Sequence, residues 1–124
     1  MNSYNPNLSP VAKEWLETDE GERIALVSAY HQDNKITLAN APLHAVMHVI
    51  VENQLALDEE GVINTLTRLQ REGLSRHDAL HAIGSVLAEN VYELLREQDS
   101  NSEAYQKYLA QLRKLTAQSW RMGQ

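Results

Sequence analysis

The three prolines of this chain, Pro6, Pro10 and Pro42, all precede its long periodic segments, and no proline follows Pro42. Proline breaks helices because it lacks an amide donor and clashes with the preceding turn, so the rest of the chain is open to uninterrupted helix. Apolar residues there recur at helical spacing: Val46, Met47, Ile50 and Val51, then Val62, Ile63, Leu66 and Leu69, then Tyr105, Tyr108, Leu109, Leu112 and Leu115. Few segments alternate with period two, and no Asn-Gly or Asp-Gly turn separates apolar runs. The expected fold class is all-α, a compact bundle of about five to six helices with short connections and antiparallel neighbours.

Start and stop signals divide the chain further. Ser9 and Pro10 suit the opening of a helix that runs to about Glu17. Thr18, followed by Asp19 and Glu20, is the expected cap of a second helix ending near His31. Gln32 to Ala41 reads as a polar connection, and Pro42 opens a third helix reaching about Ala56. Asp58, Glu59 and Glu60 start a fourth, which Gly73 stops. Ser75-x-x-Asp78 caps a fifth that runs to about Gln98, and Ser100-x-x-Glu103 caps a last one. A single helical domain over residues 1–124 is expected, with residues 1–9 as a flexible N-terminus.

Composition narrows the function classes. The chain has 124 residues and no Cys, which excludes disulfides, Cys-based zinc fingers, iron–sulfur clusters and a Cys nucleophile. With 11 basic and 17 acidic side chains it is not expected to bind nucleic acid, since phosphate binding is driven by Lys and Arg. Four of those basic residues, Lys107, Arg113, Lys114 and Arg121, lie beyond residue 100, where a helix with a basic face would dock on an acidic body. No apolar run approaches the length of a membrane span. Met1 to Pro10 lacks the pattern of a signal peptide, so a cytoplasmic protein is expected. There is no G-x-S-x-G elbow, no Gly-rich phosphate loop and no His-Glu-x-x-His, so no reaction or substrate is assigned.

The five histidines are organised. His44 and His48 stand four residues apart on the expected third helix, and His77 and His81 four apart on the fifth. Five randomly placed His would give ~0.2 such pairs in a chain of this length, and two pairs only about once in a hundred. Residues at i and i+4 share a helix face, which lets two imidazoles converge on one ion. Glu52 continues the first face by another turn. The segments Leu43 to Ile50 and Arg76 to Ile83 also align with each other, as two helix units whose His faces would meet. His44, His48, Glu52, His77 and His81 are thus the candidate metal ligands, with Glu52 as ligand or bridge, for one ion or two. An all-nitrogen-and-oxygen set suits Zn, Fe, Mn or Ni. Glu89 is a second candidate carboxylate, and His31 is read as a cation at the end of the second helix or, alternatively, as a further ligand. The competing reading makes the same His and Glu a hydrogen-bonded seam, within the fold or across a homodimer, in a non-catalytic interaction protein.

Three blocks carry a family resemblance. They are Trp15-Leu16 through Tyr30-His31, Leu43-His44 through Glu52-Asn53-Gln54, and Gly73-Leu74-Ser75-Arg76-His77-Asp78-Ala79 through His81-Ala82-Ile83-Gly84. From about Glu14 to Arg121 the chain resembles a bacterial family known only as a domain of unknown function, marked by paired His-x-x-x-His helices. The resemblance implies a small, all-helical, cytoplasmic bacterial protein and transfers no catalytic residue. Helical di-iron oxygen carriers offer a looser analogy of fold and ligand type, and their full ligand series is missing here.

Overall fold

The computed structural model describes residues 1–34, 41–99 and 101–123. Among them are seven α-helices and no strand: α1 (Ala12–Glu17), α2 (Glu20–Asp33), α3 (Ala41–Ala56), α4 (Glu60–Arg71), α5 (Arg76–Arg96), α6 (Glu103–Lys114) and α7 (Ala117–Met122). The fold is all-α. The expected connection after Gln32 and the expected cap Ser100 fall largely or wholly outside the described residues. The residues group into two compact units, Met1–Glu59 and Glu60–Gln124.

In the first unit α1 and α2 both pack on α3. The core holds Tyr4, Trp15, Val27, Ala45 and Val49, with Ile24, Leu26, Tyr30 and Ala56 packed against it. Burying each large apolar side chain of this kind contributes about 1.5–3 kcal/mol. α1 begins at Ala12, two residues beyond the expected Pro10, and its N-cap Val11 offers no side-chain acceptor. The cap of α2 is Asp19, whose carboxylate accepts from the Gly21 amide, and not Thr18. Thr18 instead closes α1, its hydroxyl donating to the Glu14 carbonyl at 2.7 Å, because only two residues separate the helices. α3 ends at Ala56 in a left-handed turn. Asp58 stands at φ 59°. The amides of Asp58 and Glu59 donate back to the carbonyls of Leu55 and Gln54, the pairing that satisfies a helix's last carbonyls. This turn moves the start of α4 to Glu60.

In the second unit α5 packs on α4, α6 and α7, and α4 packs on α6. Its buried face includes Ala79, Ile83 and Leu87 of α5, Val62 and Leu69 of α4, and Tyr108 and Leu112 of α6. Gly73 ends α4 as expected, at φ 104°, with its amide and that of Leu74 donating to Gln70 and Leu69. Ser75 caps α5 as expected, accepting from the Asp78 amide at 3.1 Å. The cap of α6 is Ser102, which accepts from the Tyr105 amide at 3.1 Å. The expected single last helix divides at Leu115, and Thr116 with Ser119 forms a reciprocal capping box that starts α7. Basic Lys107 meets Glu93 of α5 at 3.8 Å, but both are about half exposed, so burial of Tyr108 and Leu112 dominates the docking of α6.

Candidate metal centre

α3 carries His44, His48 and Glu52 at successive four-residue steps, and its buried positions include Ala45, His48, Val49 and Glu52. Helical geometry places these on neighbouring faces, so packing the aliphatic stripe carries the polar ladder inward with it. His48 is 4% exposed and Glu52 2%. Among first-unit residues, His31 completes the group. It lies in the last turn of α2, is 4% exposed, and its ring stands beside the two α3 imidazoles. The ring centroids of His31, His44 and His48 lie 4.8–5.0 Å apart pairwise.

One ring nitrogen from each of these three residues lies within 4.8 Å of the others. Two nitrogens ligating a tetrahedral ion at about 2.0–2.1 Å stand about 3.4 Å apart, so side-chain rotation of about an ångström reaches ligating separation. Hydrogen bonding further defines the donor set. His31 Nδ1 lies 2.8 Å from the Val27 carbonyl oxygen. A carbonyl only accepts, so Nδ1 carries the proton and the lone pair of the neutral ring sits on Nε2. The Nε2 atoms of His31 and His44 are both buried.

Glu52 sits one turn beyond His48. Its Oε2 accepts a 2.6 Å hydrogen bond from the Tyr4 hydroxyl, and the same hydroxyl lies 3.3 Å from His48 Nδ1. Tyr4, 5% exposed, packs against Trp15 at 5.7 Å and Tyr30 at 6.5 Å. In the second unit His77 and His81 stand on α5 as expected, with ring centroids 4.2 Å apart and both half-buried. Glu89 is exposed. Asp78 contributes its amide to the Ser75 cap.

Spacing in the sequence points to His44, His48 and Glu52, leaves His31 either as an end cation or as a further ligand, and passes over Tyr4. His31 has no i+4 partner to mark it, because its partners lie on another helix. Tyr4 precedes the first helix, where no periodicity exists to read.

Fold and site together define a class: an all-α protein with imidazoles clustered on its helices. The chain belongs to the family described as a domain of unknown function, DUF1841, which it matches over residues 14–114. All five histidines fall within that match and Tyr4 falls before it. Comparison with curated proteins and with solved structures gives no match.

Proposed function

We propose that this protein binds a first-row divalent metal (zinc, iron, manganese or nickel) through His31, His44 and His48. The observation that carries this reading is the trio of nitrogens within 4.8 Å of one another, two of the rings buried. Imidazole nitrogens without sulfur suit these four metals. Glu52 and the pair His77 and His81 are proposed as further contributors, Glu52 by its place on the α3 ladder and the pair by the repeat in the sequence.

The hydrogen bonds linking Tyr4, Glu52 and His48 favour a second reading, a purely structural polar seam. The convergence of three ring nitrogens supports the metal, since the hydrogen bonds among Tyr4, Glu52 and His48 do not require it.

Elemental analysis of tag-free protein tests the choice. Stoichiometric metal is expected in the native chain and in protein reconstituted with Zn or Fe, and is lost in the His44→Ala/His48→Ala variant. A folded native chain that cannot be loaded with either metal leaves the seam. His77→Ala and His81→Ala, assayed separately, tell whether that pair contributes to binding.

A further inference from the structure

Two buried groups meet the Tyr4 hydroxyl, which carries a single proton. It stands 2.6 Å from Glu52 Oε2 and 3.3 Å from His48 Nδ1. An ionised carboxylate is an acceptor only, so the short contact takes the tyrosine proton. The oxygen then meets His48 Nδ1 with lone pairs alone, and the contact forms only if Nδ1 carries a hydrogen. We infer that Tyr4 is a positioning residue that holds His48 as the Nδ1–H tautomer, in a directed chain from His48 Nδ1–H through the Tyr4 hydroxyl to the Glu52 carboxylate. His48 Nε2 thereby holds the lone pair needed for ligation.

Two observations make this more than a pairwise contact. Tyr4, His48 and Glu52 are all at least nine-tenths buried, so water competes weakly for these groups. His31 is set in the same tautomer by a different acceptor, the Val27 carbonyl. Two rings on two helices are thus given the same electronic orientation by unrelated groups. Orientation of a ligating imidazole through its second nitrogen is how an outer shell tunes a metal site. On this account Glu52 contributes to the site through Tyr4. The residue completing the arrangement lies in the leading segment, outside the stretch that matches the family.

The consequence for metal affinity rests on the metal reading above, whereas the tautomer does not, and the experiment separates them. Long-range proton–nitrogen NMR of the metal-free full chain, at a pH where the rings are neutral, reports which nitrogen of His48 is protonated. Zinc competition with a chromophoric chelator reports affinity. In the native chain His48 is expected as Nδ1–H. Tyr4→Phe keeps the ring against Trp15 and Tyr30 but removes the hydroxyl. It should release His48 toward the Nε2–H form that free imidazole side chains favour, and should weaken zinc binding by about 10–100-fold. Glu52→Gln keeps an oxygen acceptor for Tyr4 and should retain the native tautomer, which a mere loss of packing would not predict. An Nε2–H ring in the native chain, or an unmoved tautomer in Tyr4→Phe, overturns the inference. So does a moved tautomer with unchanged zinc affinity. A tautomer that moves as expected in a chain that binds no metal upholds the directed chain and removes the metal reading instead.

Discussion

The Asn53 side-chain oxygen accepts two hydrogen bonds, from Trp15 Nε1 at 2.8 Å and from Arg23 Nη1 at 2.9 Å. Arg23 spends its other donors on the end of α1, with Nη2 on the Leu16 carbonyl and Nε on the Thr18 carbonyl, both at 2.8 Å. One amide oxygen on α3 therefore gathers the buried indole of α1 and the guanidinium of α2. Asn53→Ala should destabilise the protein by about 1–3 kcal/mol in urea unfolding, because it strands an indole N–H with no acceptor in its place. Asn53→Asp keeps the acceptor and adds a charge partner for Arg23, so its loss should be clearly smaller. Equal losses would show that the volume of the residue matters and its oxygen does not. The same residue marks what sequence can disclose. Asn53 stands beside Glu52 on a readable helix, yet nothing in the spacing of Trp15, Arg23 and Asn53 announces that they meet. The His44–His48 pair was legible because the i, i+4 rule acts within one helix. His31 and Tyr4 reach the site across tertiary contacts, which leave no local period.

At the level of elements, the helices were legible and several of their ends were not. Gly73 and Ser75 announce a stop and a start through residue types whose preference is strong. Asp58 takes the same left-handed position as Gly73 without being glycine; Asp tolerates that region better than most residues, but its type alone does not single it out. Gly73→Ala should therefore cost about 1–2 kcal/mol by chemical denaturation, since the added Cβ meets ordinary space but a backbone region unfavourable to L-residues. A neutral substitution would show that the turn relaxes to negative φ. The break before α7 was missed because Leu115 continues the apolar pattern, while the capping box uses Ser119 where Glu or Gln is usual.

α7 is then held by Glu72, whose Oε1 accepts from the Ala117 amide at 2.8 Å and whose Oε2 pairs with Arg68 at 2.9 Å. The Ala117 hydrogen bond, and secondarily Arg68, hold the Glu72 carboxyl below its ordinary value of 4.5. A lowered folded value means that the stabilisation is fully present above about pH 4.5 and is lost as pH falls through the lowered value. NMR titration should show the Ala117 amide proton moving upfield with an apparent midpoint below 4.5. In Glu72→Gln the amide should no longer titrate there. A midpoint at or above the ordinary value would contradict the anchor.

At the scale of the whole molecule, the division into units of residues 1–59 and 60–124 gives metal binding a spatial signature. His31, His44 and His48 all lie in the first unit, on α2 and α3. A ligand that binds only the folded form stabilises it by RT ln(1 + [L]/Kd), about 2.7 kcal/mol at a hundredfold excess over Kd. That is roughly a hundredfold slowing of any amide exchange that requires the site to open. Other openings are untouched, because exchange through local unfolding feels only the contacts that the particular opening breaks. Zinc at that excess should therefore slow hydrogen exchange in α2 and α3 and leave α6 near its metal-free rate. Uniform slowing in every helix would mean that the two units open together as one cooperative body. The His44→Ala/His48→Ala variant fixes the baseline, since zinc acting anywhere else on the chain, including at His77 and His81, would still slow exchange in it. Protection of α2 and α3 in the native chain that is abolished in that variant is the pattern expected of ligation through His31, His44 and His48.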